Sequence, residues 1–340
     1  MKAAMYYGPG DIRMEDVPEP DPGPDEVKVR PLWNGLCGTD LHQFFHGPMS
    51  LVVPCIIGHE FSAEVVEVGR DVTRVSEGDL VAVDPMWACG TCKHCSESER
   101  NLCFDMICHG LGASGGGISE ATVVRADMPR LVPEGVGAKQ AAMVEPLSVA
   151  YHGVRQGRPK PGTTAVVLGG GPIGIGTFLA LRAQGVDDII VSEPAAARRD
   201  ALASVGAEQV LDPTETDVTA AVMEHTKGEG ADLTIDAAGV AATFTTGLAV
   251  TGRRGRFVTL AAYGEPMSYN PTDLMIREIE IVSSFSSSGE FDTVLGHMAA
   301  GEYPTDSWSE TVSLDDHLTA YDRLQDGRAI KVLVDVAGEG

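Results

Sequence analysis

Four cysteines crowd one short segment, Cys89-Gly-Thr-Cys92-Lys-His-Cys95 with Cys103 downstream, a C-x2-C-x2-C-x7-C run. Thiolates at that spacing can surround a tetrahedral Zn2+ and leave no position for water, the chemistry of a structural metal rather than a reactive one. Other metal-type side chains are scattered. Gly35-Leu-Cys37-Gly-Thr39-Asp40-Leu-His42 and Gly58-His59-Glu60 are short polar clusters in strand-rich sequence, and Glu145 stands much later, beside Pro146. Cysteine, histidine and carboxylate are the donor set of a zinc that keeps one position open for water or substrate. Spacing alone does not bring these residues together. A lone cysteine is usually core, and a lone glutamate usually solvated surface.

A third signal is Gly169-Gly-Gly171-Pro172-Ile173-Gly174, which fits G-x-G-x-x-G directly after the strand-like Thr164-Ala-Val-Val-Leu168 and opens a helix. In that context the motif holds a dinucleotide. Gly169 permits the tight turn, Gly171 lets pyrophosphate approach the backbone, and Gly174 permits close helix–strand packing; the helix N-terminus attracts the phosphates. Glu193 ends the next strand. A carboxylate there accepts hydrogen bonds from the adenosine ribose and repels a 2′-phosphate, which argues for NAD over NADP. Arg198 follows closely enough to reach the same ribose.

The elements that must position these residues fall into two patterns. Residues 1–135 read as strands: Glu26–Arg30, Ala63–Val68 and Leu80–Asp84 alternate with period two, and Pro and Gly punctuate between them. A helix is predicted near Lys139–Gln156, with Pro146 inside it as a source of kinking. From Thr163 to about Ser286, strands at Thr164–Leu168, Asp188–Ser192, Leu233–Asp236, Arg256–Leu260 and Glu280–Ser283 alternate with helical stretches. That is the pattern of a parallel sheet covered on both faces. The tail predicts two short helices and a final strand, Ile330–Asp335.

A length of 340 residues suits about two domains. No apolar run approaches the ~18 residues of a spanning helix, and the first residues lack a long apolar signal region. Together these predict a cytoplasmic protein. Seven cysteines without an export signal point to metal or catalysis rather than disulfides. Cys55 and Cys108 read as plain buried thiols. A net charge of −24 makes nucleic acid and anionic membranes poor partners.

In kind and order, these pieces resemble the zinc-dependent medium-chain dehydrogenase/reductase superfamily, the alcohol and polyol dehydrogenases, over essentially the whole chain. Glu145-Pro-Leu-Ser-Val-Ala-Tyr-His152, Asp84-Pro-Met-Trp-Ala-Cys-Gly-Thr-Cys92 and the Gly110–Gly117 stretch are similar to its polyol and 2,3-butanediol dehydrogenase branch. Ala63 departs from the pattern, which has glycine there. The resemblance implies an α/β protein. A mostly-β, GroES-like catalytic domain would comprise residues 1–149 and 288–340 and carry both zinc sites. A Rossmann doubly wound NAD-binding domain would occupy 150–287, with the active site in the cleft between them.

It also implies roles. Cys37 and His59 ligate a catalytic zinc, Glu60 and Glu145 compete for the remaining protein position, and Cys89, Cys92, Cys95 and Cys103 hold the structural zinc. Asp40 orients His59. Thr39 takes the substrate proton and passes it through ribose hydroxyls towards His42, while hydride goes to NAD. Lys331 matches a basic residue that meets the pyrophosphate from the tail. Phe44, Phe45, His46 and Trp87 are candidates for the substrate pocket, with core packing the better reading of each. His152 either approaches the cofactor or packs. The implied substrate is a small secondary alcohol or vicinal diol of the 2,3-butanediol/acetoin type. Sorbitol-like polyols and sugars come next, and threonine after them. A dimer or tetramer is implied. Two rivals are weaker: a non-catalytic NAD-binding zinc protein predicts a depleted open site, and a zinc-free quinone reductase conflicts with Cys37 and the four-cysteine loop.

The acidic excess also fits a high-salt source, where added ions screen self-repulsion. On that reading the melting temperature rises through a KCl series; a flat series rejects it.

Overall fold

The alternation at Glu26–Arg30 belongs to a longer strand, Glu26–Gly35, in a computed structural model that describes residues 1–49, 52–112 and 115–338. Ala113 and Ser114 of the Gly110–Gly117 stretch, and the last two residues of the expected 288–340 segment, lie outside the described residues. Chain packing divides the molecule into two units. One comprises Met1–Glu145, Phe291–Gly301 and Trp308–Gly340; the other comprises Pro146–Glu290 and Glu302–Ser307.

In the first unit, strands run in the spatial order Pro129–Leu131, Leu80–Val83, Glu60–Val68, Glu26–Gly35, Lys331–Asp335 and Ser309–Ser313, with Thr122–Arg125 also pairing with Glu26–Gly35. Period-two burial puts Val27, Val29, Phe61, Ala63, Val65, Val81 and Val83 into one core. Pro31 cannot donate to a ladder, and the register slips between Pro31 and Trp33, a bulge that absorbs the missing donor. Its partner Ala63 is fully buried, so the methyl that replaces the family's glycine is packed into this core. A second core joins Tyr6, Leu36, Ile57 and Ile118 to Tyr321, Val332 and Val334 from the C-terminal tail. The hairpin Lys2–Gly8 with Asp11–Asp16, and the strand Ser309–Ser313, were not individually anticipated; the first opens on a mostly apolar run without alternation, and the second is mostly polar.

The second unit holds a six-stranded, wholly parallel sheet. Its chain order is Thr164–Leu168, Asp188–Ser192, Gln209–Leu211, Ala231–Asp236, Thr251–Thr259 and Glu280–Ser283; the spatial order is 3-2-1-4-5-6, the doubly wound nucleotide-binding arrangement. Ala165, Val166, Val167, Ile189, Ile190 and Val191 are buried without alternation, as strands covered on both faces must be. Strands 1 and 4 are neighbours, so the winding reverses between Leu168 and Asp236, where ligands bind in such sheets. The expected helix divides into Ala138–Ala141 and Val144–Gly157. Pro146 falls in the first turn of the second, where no intrahelical donor is lost and no kink is required. No helix among the described residues is long and apolar enough to cross a membrane.

His109 is buried, with Nε2 2.9 Å from Thr122 Oγ1. Burial pushes its pKa down to about 4. The unfolded chain therefore binds a proton below its ordinary value of about 6.5 that the folded chain refuses until about 4, so stability is full above that window and falls as pH drops through it. The cost reaches about 3 kcal/mol at the acid end. Urea midpoints at pH 7, 5.5 and 4 should show this slope in the wild type and a shallower one in H109Q; parallel curves would refute it.

Candidate active site

The Gly38–His46 helix starts at Cys37, whose extended backbone (φ −95°, ψ 156°) serves as N-cap. Asp40 closes the first turn by accepting the Cys37 backbone N–H on Oδ2 at 2.9 Å. This capping contact buries Asp40 and turns its second oxygen, Oδ1, towards His59 Nδ1 at 3.6 Å. His59 stands at the head of the Glu60–Val68 strand, after Gly58 with φ +101°. A side chain at Gly58 would strike Asn34 and Ile118, so glycine is required for this turn. Glu60 pairs across the sheet with Gly35, where a Cβ would occupy the place of the Glu60 carboxylate and the Lys331 ammonium.

Donor atoms of Cys37, His59 and Glu60 all lie within 4.8 Å of one another. Glu60 and His59 are buried, and Cys37 is half-buried. Glu145, second residue of the Val144–Gly157 helix, is not within this tight set but shares its field. Burial first, then the Glu60 carboxylate, raise the Glu145 pKa to about 7. For His59, burial alone would lower the pKa, but the Asp40 carboxylate and the Cys37 thiolate outweigh it and raise it well above the ordinary value. A cysteine and two carboxylates sunk around one point, with a histidine whose other nitrogen faces a carboxylate at 3.6 Å, fit a zinc. The cation supplies the positive charge that such a crowd of acids needs.

The structure places Lys331 beside Glu60. Its side chain is almost wholly buried in the last strand, donates to Leu36 O at 2.9 Å and pairs with Glu60. An isolated lysine in a strand reveals nothing about such a long-range partner. Thr39 lies half-buried with Oγ1 3.6 Å from Cys37 Sγ, and His42 is exposed one turn on, its ring 5.1 Å from that of His46. Phe44 and Phe45 pack on the second core of this unit, and the Trp87 ring carries the Arg125 guanidinium at 5.5 Å. His152 is turned to Glu290 at 2.8 Å. Cys55 is a buried core residue as expected. Cys108 is more than a plain thiol: burial pushes it to about 12, and its charged neighbours are His59, Glu145, Cys37 and Asp40. Only the fold reveals that proximity.

The four-cysteine loop closes as its spacing implies. Cys89, Cys92, Cys95 and Cys103 are free thiols with donor atoms within 4.8 Å of one another. Cys89 and Cys95 sulfurs are 3.9 Å apart, and Cys92 and Cys95 sulfurs 3.6 Å. Ligands at ~2.3 Å around a tetrahedral zinc sit about 3.8 Å apart, so the set fits. Backbone N–H groups of Thr91 and Cys92 bring the Cys89 pKa down to about 6, towards the thiolate that a metal needs. His94 is spent on Glu99 at 2.9 Å, and His109 on Thr122.

In the second unit a cavity of about 530 Å³ opens at the reversal of the winding, lined among others by Gly169, Gly171, Pro172, Glu193, Arg198 and Thr243. The volume suits a cofactor. Gly169 has φ +102°, and a Cβ on Gly174 would run into Gly169 O, so both glycines are required. Pro172 starts the Pro172–Ala183 helix with Ile173 and Gly174 behind it, pointing free N–H groups at the cavity. Glu193 is fixed by Gly170 N at 2.6 Å and Ala195 N at 2.8 Å, with Arg198 Nη1 3.9 Å away.

Comparison with known proteins decides the family. Residues 23–134 match the alcohol dehydrogenase GroES-like domain, and residues 172–300 match the zinc-binding dehydrogenase domain. The chain belongs to the zinc-dependent medium-chain dehydrogenase/reductase superfamily. It is an oxidoreductase of the zinc-dependent alcohol dehydrogenase class. The chain is 33% identical to (R,R)-butanediol dehydrogenase of Bacillus subtilis over 93% of each chain, and 32% identical to sorbitol dehydrogenase of the same organism over 88% of this chain and 86% of that one. The crystal structure of 2R,3R-butanediol dehydrogenase from Bacillus subtilis superimposes with a TM-score of 0.92, covering 98% and 99% of the two chains at 33% identity. A zinc-binding dehydrogenase from Sinorhizobium meliloti, bound to NADP, gives 0.93 at 31% identity and 98% coverage of both. This dehydrogenase thus combines a family fold, a nicotinamide dinucleotide site and a zinc-type donor set.

Removing Lys331 strands the Glu60 charge in a dry interior. K331M should destabilise the zinc-free protein by about 3–5 kcal/mol in urea titration, the cost of breaking a buried pair from one side. An unchanged midpoint would show that Glu60 does not depend on the ammonium.

Proposed function

We propose that this chain is an NAD-linked dehydrogenase of secondary alcohols and vicinal diols of the 2,3-butanediol/acetoin type, holding two zinc ions. The observation that carries it is the convergence of Cys37, His59 and Glu60 within 4.8 Å, from segments distant in sequence from the closed four-cysteine loop. Similarity to two kinds of diol and polyol dehydrogenase supports the substrate class. In this reading the first unit is the catalytic domain and the second the coenzyme domain.

Cys37, His59 and Glu60 would hold the reactive zinc, with Glu145 as the carboxylate that exchanges with Glu60. Glu60 is the partner of Lys331, so the lysine sets how much of its charge reaches the metal. Bound zinc would polarise the alcohol oxygen and ease its deprotonation near neutrality, and bound NAD would take the hydride. The chain's own part is to place and move the proton. Thr39, beside Cys37, would receive it on Oγ1 and pass it through the ribose hydroxyls to exposed His42, which would release it to solvent. Asp40 holds the His59 ring so that its other nitrogen faces Cys37. At the coenzyme end Glu193, already aligned by Gly170 and Ala195, would accept the ribose hydroxyls, and its charge disfavours a 2′-phosphate. Arg198 would close over the same ribose.

The test is NADH formation at 340 nm with the 2,3-butanediol stereoisomers, sorbitol, xylitol, glucose, threonine and simple secondary alcohols, using NAD and NADP, beside zinc analysis. A vicinal diol should turn over with NAD, and chelator should abolish it. C37S should retain one zinc per chain instead of two and lose at least about 10^3-fold in kcat/KM, the several kcal/mol of a Lewis-acid metal. Turnover of sorbitol in preference to any 2,3-butanediol would move the assignment to the polyols. Full activity with one zinc would overturn it.

A further inference from the structure

Tyr321 has a hydroxyl that its surroundings do not explain. The ring is packed in the second core of the first unit, with Leu36, Ile57, Ile118 and Val332 in the same cluster and the Phe44 ring 4.9 Å away. A phenylalanine would fill that apolar place equally well. The side chain is almost wholly buried, yet its oxygen has no hydrogen-bond partner among the described residues. Tyr6, in the same core, behaves as a buried tyrosine should and donates to Gln43 O at 2.8 Å. A buried hydroxyl left unpaired costs stability, so its retention calls for a partner.

Several other buried side-chain atoms of the same unit lack partners among the described residues, His317 Nε2 among them, and two of these atoms belong to the metal cluster: Asp40 Oδ1 and His59 Nδ1. The helix that carries Tyr321, Thr319–Gln325, packs on the helix that carries Asp40, Gly38–His46. Burial first, and then the negative field of Asp40, hold the Tyr321 hydroxyl far above the ordinary phenol range, which marks Asp40 as its charged neighbour. Asp40 Oδ2 is already taken by Cys37 N, so Oδ1 is the oxygen left to receive a donor.

We propose that Tyr321 is a positioning residue for the zinc ligand His59, acting through Asp40: its hydroxyl donates to Asp40 Oδ1 through one buried ordered water. The inference rests on the reading of Cys37, His59 and Glu60 as a zinc site. A carboxylate supported on one oxygen only by a backbone N–H can rotate; a second donor on the other oxygen fixes it. A fixed Asp40 in turn fixes the ring and tautomer of His59. The tail of the chain thereby reaches the metal without touching it.

The experiment uses the two-zinc holoenzyme and follows zinc transfer to excess 4-(2-pyridylazo)resorcinol. The phase that is missing in C37S belongs to the open site, and the other to the four-cysteine loop. In Y321F the open-site phase should accelerate about 10- to 100-fold, the effect of losing an outer hydrogen-bond partner, while the four-cysteine phase stays unchanged. D40N should accelerate the same phase, and adding Y321F to D40N should change nothing further, because the tyrosine acts through the carboxylate. An unchanged open-site phase in Y321F overturns the proposal. So does equal acceleration of both phases, or an effect that adds in full to that of D40N, since either marks a general packing role. A wild-type protein that binds only the four-cysteine zinc overturns the open-site reading and this proposal with it.

Discussion

Charge burial organises the first unit. Cys37, Asp40, Glu60 and Glu145 place acidic groups around one point in the interior, answered by His59 and by Lys331. Ions taken out of water are tolerated only when paired and hydrogen-bonded. Much of the surrounding architecture serves that condition. Gly35 has no side chain because the Glu60 carboxylate and Lys331 ammonium fill its space. Gly58 adopts a conformation open to glycine so that His59 can turn inward. The Gly38–His46 helix begins at Cys37 with a cap that doubles as the clamp on Asp40. The last strand pairs with Glu26–Gly35 and delivers Lys331 to Glu60. Without a cation, burial first and then the Glu60 carboxylate push the Glu145 pKa up to about 7.

The second unit solves a different problem with backbone rather than side chains. Its cavity sits where strands 1 and 4 of the 3-2-1-4-5-6 sheet diverge, and its phosphate-facing wall is made of glycines and a helix N-terminus. Such a wall is specified by local stereochemistry. Gly174 is needed because Gly169 O lies against it, and Gly169 because the turn demands a positive φ. Two N–H groups hold both oxygens of Glu193 in place, the alignment that a role in reading the sugar would require.

This contrast explains what was legible before any coordinates. The parallel sheet, the glycine loop and Glu193 are local features, separated by one strand or one turn, and periodicity reveals them. The four cysteines are local too. Cys37, His59, Glu60 and Glu145 were recognisable as types, but only resemblance to a family joined them. The pairing of Lys331 with Glu60 was not legible, because a single lysine in a strand carries no sign of a glutamate some 270 residues away in sequence. Cys108 and Tyr321 were missed as neighbours of the metal cluster for the same reason: their importance lies in tertiary contacts, which leave no period and no motif. The Lys2–Gly8 hairpin escaped because its first strand, Lys-Ala-Ala-Met-Tyr-Tyr-Gly, is a mostly apolar run without the alternation that defines the rest.

The two metal-type sites differ in the sequence distance between their ligands, and that distance follows from what each must do. A closed four-cysteine loop gathers its donors over a short segment, so the ring it closes costs little entropy and the metal can organise the loop unaided. A reactive site must keep one position empty, so its ligands cannot be allowed to collapse onto the metal. Donors set on a helix cap, a strand head and a second helix are held apart by the core beneath them, and the metal inherits their geometry instead of imposing its own. Distant ligands are therefore the condition for an open position, and the core that unites residues 4 to 336 is as much a part of the reactive site as the donors themselves.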